Sequence, residues 1–525
     1  MRETSLRTSR ERAYRMKRKI NLFMILLFCV QVARAQDARF RNHYDVLLEI
    51  YQRYDENKVH SKISADLLRA DIDLFVRTME EIGVDPYINL SKDAFYKEID
   101  TLKDGIDRPL TRREVMLQFV PVVNDLRLSH TLVFIPWKTF EEKAWYDKNN
   151  GTYLPLDVRI ENNRLWVADN YSQTNIPVGD EIFAINDLKA TDIIQNLYRY
   201  AEGATKDSKL MDIQESFPIH LWWIYDLKGP FKVKTKDSVY ALNGLTANEL
   251  MDLKSKNQNQ EAKKGKEQYE YTQIDPTTSL LNFRDFTIKD EAQFYAFLKS
   301  AFLQLKSKSI RNLIIDVRDN PGGGDDYGIE IIKYLYPLPF KAYSKFYYKK
   351  SKIMEDFSYL FLYPEDRSNP KMRKAANCMG DCQEEHDYGT YYECENKALD
   401  PKPDSIRFKG NIYVLSNFKV YSAGNCFVGL IKDYRIGKII GTETGQSMSN
   451  DGQQCWFFLP HMNVMAAGST TLCIRPNGDP NTARGIIPDY EVVQLEEDSK
   501  KGVDTVMDFA IKLIGTKVSP TKHID

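Results

Sequence analysis

Apolar residues recur at helical spacing early in the chain. Leu68, Ile72, Phe75, Met79 and Ile82 fall on one face of an amphipathic helix. Thr111 with Glu114 three residues later forms a capping-box pattern, and Val115, Phe119, Val122 and Leu126 continue an apolar stripe. Residues 40–150 therefore predict a small N-terminal helical cap. From 152 to 252 the pattern turns to strands. LPLDVRI and RLWVA flank an Asn162-Asn163 turn, and IPVGDEIFAINDL leads into the helical run TDIIQNLYRYA. Residues 254–270 hold almost no apolar side chain, which predicts a solvated linker over about 253–277. Beyond 278 strand and helix alternate. NLIIDVR (312–318) precedes Gly322-Gly323-Gly324 and a helical run, NIYVLSN (411–417) precedes another helical run, and KIIGTETG follows. That order predicts βαβ crossovers and a layered α/β core over 278–515. A polar, aromatic, Cys-bearing insertion at about 350–405 covers one edge.

The first 35 residues differ from the rest. Lys17-Arg18-Lys19 precedes an apolar run from Ile20 to Val32, and Ala33-Arg34-Ala35 follows. Basic, apolar, then small-x-small is the grammar of a secretory signal peptide, and the run is short for a membrane span. Met16 is an alternative start for it. This predicts a periplasmic or extracellular protein with no stable membrane span once residues 1–35 are removed. The whole chain of 525 residues carries a net charge of −1, and removing that basic segment leaves −8. A mildly acidic protein argues against nucleic acid as a partner. Six of the seven cysteines lie beyond residue 35, and an exported protein can oxidise them. A cross-strand bridge between Cys455 and Cys473 fits two strand-like runs. Cys378, Cys382, His386 and Cys394 match zinc spacing poorly, so no metal and no cofactor are expected.

Three places could carry chemistry. Ser422 lies between a strand and an amphipathic helix, where backbone N–H groups favour negative charge; serine is also a common N-cap. Gly322 and Gly323 close a second strand-to-helix junction, where glycine lets backbone amides approach a substrate. His130 follows Ser129 at the end of the helical region and is a candidate general base; a lone histidine is as easily an ordinary core or surface residue.

Taken together the motifs are more specific. Asp316, Arg318, Asn320, Gly322 and Gly323 form an Asp-x-Arg-x-Asn-x-Gly-Gly pattern. Ser422-Ala423 and Gly485-x-x-Pro488-Asp489 follow in order. This set resembles the tail-specific protease family, the S41 serine peptidases, and the likeness covers most of residues 60–500. The resemblance implies a crotonase/ClpP-like layered α/β protease core. Residues 152–252 resemble a PDZ module, in which a Gly-Asp turn (Gly179-Asp180) precedes a strand ending in Ile-Asn-Gly; Asp187 stands where that Gly is usual. The branch with a Ser-Lys dyad has Lys where this chain has Ser447. The tricorn-like branch pairs serine with histidine from the preceding domain, which Ser129-His130 matches, and Thr482 occupies the place of its Glu. The resemblance thus implies acyl transfer by Ser422, with His130 as base, Ser129 holding the imidazole, and an oxyanion hole from Ala423 and Gly322 or Gly323. Peptides or unfolded proteins are the implied substrates. The alternative is a non-catalytic carrier built on the same core.

Overall fold

In the computed structural model, the described residues run from 60 to 515, apart from 135–145, 147, 150, 204, 263–266, 378–385, 395, 482, 496–497 and 499–500. Before them only residues 41, 45–46 and 49–50 are described. The signal-peptide expectation for 1–35 and those on Thr482, Cys378 and Cys382 lie outside this set.

The core is a six-stranded sheet. Its order is Tyr269–Gln273, Thr278–Phe283, Asn312–Asp316, Asn411–Ser416, Lys438–Gly441 and Tyr490–Glu491. All neighbours are parallel except the first pair. Parallel strands need crossovers, and helices Glu291–Ser307 and Ser422–Asp433 supply them between sheet neighbours. Both faces are covered, as parallel sheets require. Leu313 and Ile315 pack with Phe294, Ile331 and Phe427 on one face. Ile314, Leu415 and Ile440 pack with Val506 and Ala510 of helix Thr505–Gly515 on the other.

A second sheet is built on the long hairpin Asn450–Leu459 and Val464–Ile474. Lys345–Lys349 pairs with the hairpin's second strand, and so does the short strand Leu132–Val133. That pairing brings the segment around residue 130 to the core, more than 300 residues away in sequence.

Local patterns hold where they are short-range. Leu68, Ile72, Phe75, Met79 and Ile82 are all buried on helix Ala65–Ile82. Thr111 and Glu114 make both bonds of the capping box on helix Arg112–Asn124. Asn162 and Asn163 both adopt positive φ (51° and 60°), the two-residue turn geometry that matches strand twist. Between 152 and 252 there are two small sheets and three helices, Ala190–Leu197, Lys206–Glu215 and Phe217–Tyr225, with a fourth starting at Ala247.

Two expectations are corrected. Much of the supposed linker is ordered: a helix runs Ala247–Ala262 and Tyr269–Gln273 is the sheet's edge strand. Its Lys, Glu, Gln and Ala content favours helix without an apolar stripe to reveal it. Cys455 and Cys473 do not face each other. Cys455 pairs with Gly468 and Cys473 with Asn450, so the two are about 17 Å apart along the hairpin. Both are free thiols, as are Cys394 and Cys426. His386 stacks on Tyr392. Among the described residues there is no cluster fit to hold a metal ion, and no helix long and apolar enough to cross a membrane.

Candidate active site

Ser422 opens the helix that follows strand Asn411–Ser416. It is not the cap: Tyr421 is, without a side-chain capping bond. Ser422 itself has φ +46°, a left-handed conformation unusual for a residue with a side chain. Such strain persists only where the surroundings impose it. Tyr421 N–H donates to Asn320 O at 3.0 Å, and Ser422 N–H donates to Gln446 Oε1 at 2.8 Å. Ser422 is buried, and its hydroxyl has no hydrogen-bond partner among the described residues. Ala423 and Gly424 lie in the first turn, where backbone N–H groups have no intrahelical acceptor.

The Asp-x-Arg-x-Asn-x-Gly-Gly motif builds the neighbouring loop. The Arg318 guanidinium spans two carboxylates, Asp316 (2.7 and 2.9 Å) and Asp504 (2.7 and 2.8 Å). These two partners hold its charge in place although it is largely buried. Asn320 donates to Phe283 O at 3.1 Å and accepts Gly322 N–H at 2.9 Å. Gly322 O and Gly324 N–H both bond Phe286. Gly323, between them, has φ +136°, and a Cβ there would sit 2.0 Å from the Phe286 carbonyl carbon. Gly322 N–H, expected as a possible oxyanion donor, is therefore committed to Asn320. Helix Ser422–Asp433 leans on the same loop, since a Cβ on Gly424 would lie 2.9 Å from Asn320 O.

His130 sits just before strand Leu132–Val133, buried against the hairpin. One residue organises it. The Asp451 carboxylate accepts Ser129 N–H at 2.8 Å on one oxygen and His130 N–H at 2.9 Å on the other. The Asp451 carbonyl oxygen is bonded by His130 Nδ1. A carbonyl oxygen only accepts, so Nδ1 carries the proton and Nε2 is left as the basic nitrogen. Burial pushes the Asp451 carboxyl above its usual range, opposed by His130 and the two backbone donors. Ser129 enters through its backbone, and Asp451 takes the orienting role expected of the Ser129 hydroxyl.

The same segment reaches both halves. Gln446 meets Ser422 and Asp451 holds His130, five residues apart, a span of at most about 18 Å. Ser447, where the dyad branch has Lys, donates its hydroxyl to Asn481 O at 2.6 Å. Ser447 thus ties down the backbone at Asn481. No hydrogen bond among the described residues joins Ser422 Oγ to His130. Gly485 is needed for contact, since its Cβ would lie 1.9 Å from Thr444 O, and Asp489 pairs with Lys432 at 2.8 Å and caps Ile439 N–H. Gln446 and Asp451 are the site residues that sequence reasoning missed.

Comparison with known proteins agrees with this architecture. The family described as Peptidase family S41 matches residues 278–492. A search of curated proteins finds no match. Among solved structures, mature CPAF aligns with a TM-score of 0.57 at 12% identity, over 87% of this chain and 99% of its own. A serine-to-alanine variant of CPAF aligns at 0.59 with 13% identity, over 88% and 99%. CPAF complexed with lactacystin aligns at 0.55 with 12% identity, over 86% and 97%. At such identity these likenesses speak for the fold. The family match spans five of the six strands of the core sheet, helix Ser422–Asp433 and the closing Gly-x-x-Pro-Asp motif, so residues 278–492 match the peptidase family S41.

Proposed function

We propose that the protein is an exported serine-type peptidase acting through an acyl-enzyme on Ser422. The observation that carries this is the left-handed φ of Ser422 at a strand-to-helix junction, with its hydroxyl unbonded among the described residues. Strain of this kind has no stabilising role and clusters where a side chain is held for reaction. Ser422 Oγ attacks a peptide carbonyl. His130 Nε2 takes the hydroxyl proton and returns it to the leaving amine, while Asp451 keeps Nδ1 protonated. Backbone N–H groups of Ala423 and Gly323 receive the oxyanion. Substrate binding closes the distance between Ser422 and His130, since catalytic hydrogen bonds are often long in free enzymes. Water then releases the acyl group by the same steps. In this reading residues 40–150 are a helical cap that delivers His130, residues 152–252 are a PDZ-like module, and no cofactor takes part.

The test is cleavage of unfolded casein and a mixed peptide library, with Ser422→Ala beside the wild type and mass spectrometry of products. Products unique to the wild type establish the activity, and their termini give the preference. CPAF is known in complex with lactacystin, which makes that compound a useful probe of Ser422. Identical product lists for both proteins would overturn the reading and favour a carrier.

A further inference from the structure

The inference concerns Gln446 and rests on the peptidase reading above. Gln446 is fully buried beside the nucleophile. Its Oε1 accepts Ser422 N–H at 2.8 Å, and the donor on Ser422 fixes which end of the carboxamide faces it. Its Nε2 is buried with no hydrogen-bond partner among the described residues. Burying an amide donor without a partner is destabilising, so the fold gains nothing from that end of the side chain. A residue that costs stability and makes one side-chain bond, to the strained nucleophile, is explained by that bond.

The backbone that carries Gln446 is held from two sides. Gly445 N–H donates to Val420 O at 3.1 Å, in the loop that leads into Ser422. Gly445 O accepts the Thr205 hydroxyl at 2.7 Å. Thr205 belongs to the segment before the S41 core. It caps helix Lys206–Glu215 in a capping box with Ser208, and it is buried. An unbroken path therefore runs from the Thr205 hydroxyl to Gly445 O, along one peptide to Gln446, and from Gln446 Oε1 to Ser422 N–H.

We propose that Gln446 and Thr205 are positioning residues for the nucleophile: Gln446 holds Ser422 in its left-handed conformation, and Thr205 holds Gln446. Neither touches substrate. The region before the core thereby takes part in shaping the active site. Displacing helix Lys206–Glu215 would release the nucleophile.

The test uses the full chain and a peptide found by the library screen. Gln446→Met removes the acceptor and the orphaned donor together. Its kcat should fall about a hundredfold, the scale of a misplaced reacting group, with KM and Tm little changed, because removing the orphaned amide donor offsets leaving Ser422 N–H without its acceptor. Thr205→Val should lower kcat in the wild-type background and have no further effect in Gln446→Met, because the two act through one path. Thr205→Ser keeps the hydroxyl and should restore kcat. Unchanged kcat in Gln446→Met would overturn the proposal. So would a fall in kcat matched by a fall in Tm, which marks a role in stability alone, or additive losses in the double variant. A wild type that neither cleaves peptide nor reacts with a fluorophosphonate at Ser422 would instead overturn the peptidase reading and this inference with it.

Discussion

His130 and Asp451 are joined by two bonds of different kinds. The Asp451 carboxylate takes His130 backbone N–H at 2.9 Å, and the Asp451 carbonyl takes the imidazole Nδ1. The carboxylate fixes where the residue is and the carbonyl fixes which way its ring faces. Carboxylate and carbonyl belong to strand Asn450–Leu459, whose partner strand also pairs with Leu132–Val133. His130 is thus held by the sheet and not by its own loop.

Replacing Asp451 separates these duties. Asp451→Ala leaves the buried His130 N–H and the part-buried Ser129 N–H without acceptors, at about 1–3 kcal/mol for the buried one and less for the other. It should lower Tm and cut turnover sharply. Asp451→Asn retains one acceptor and should fall between Asp451→Ala and wild type on both scales. Thermal unfolding and peptide turnover of the three proteins, measured together, check this. An Asp451→Ala protein with wild-type turnover would show that the carboxylate has no part in placing His130.

Gly323 tests the glycine loop. A Cβ there would lie 2.0 Å from Phe286 C and 2.1 Å from Phe286 O, at a φ that side chains rarely adopt. No rotamer relieves a clash with backbone, so the loop must move. Gly323→Ala should lose most turnover and about 2–4 kcal/mol of stability, as strained and overpacked positions do. Gly389 has the same need for positive φ (84°) and open space around it. Gly389→Ala should be mild in stability and silent in activity, which calibrates the comparison. Denaturant midpoints and kcat for the two variants are the measurement.

The elements legible in sequence are those whose causes are local. The Leu68–Ile82 stripe, the Thr111–Glu114 capping box and the Asn162-Asn163 turn each depend on residues within a few positions, and each is as expected. The Cys455–Cys473 pairing failed because the register of a long hairpin is set by its turn and by packing that spacing does not encode. The 254–270 stretch was misread because a helix without an apolar face leaves no periodic signal. Gln446 and Asp451 gave no sign because their partners are backbone N–H groups, which every residue has. The glycine loop was legible because close approach restricts its residue types, whereas Ser422 was singled out only by its place between strand and helix and by the Ser-Ala motif.

Arg318 shows what the family motif does in this fold. It lies between Asp316 on the sheet and Asp504 at the start of helix Thr505–Gly515, with four nitrogen–oxygen contacts of 2.7 to 2.9 Å. Arg318→Met leaves the buried Asp316 carboxylate without its cation. Breaking such a pair from one side costs about 3–5 kcal/mol. The loss should be smaller in Asp504→Asn, because Asp504 is more exposed and can turn to water. Urea unfolding of both variants gives the ranking, and equal losses would contradict the geometry.

Asp325 makes stability depend on pH. It follows the glycine loop as the first residue of helix Asp325–Leu335. Oδ2 accepts the Tyr343 hydroxyl at 3.0 Å, while Oδ1 is buried without a hydrogen-bond partner among the described residues. Tyr343 also lies 2.8 Å from Cys426 Sγ. Burial, with the neighbouring Asp326 charge, raises the Asp325 carboxyl from 3.8 to about 6, although Tyr343 and Cys426 oppose it. Below about pH 4 the carboxyl is protonated in folded and unfolded chains alike and has no effect on stability. As pH rises from about 4 to about 6 the unfolded chain gives up the proton first, so stability falls, and above that the penalty is constant. At 1.36 kcal/mol per unit the whole penalty is at most about 3 kcal/mol. Asp325→Asn still accepts from Tyr343 and carries no charge to desolvate. It should match the wild type in Tm near pH 4 and exceed it at pH 8. A Tm gain that is the same at both values would show that the carboxyl does not titrate as its surroundings require.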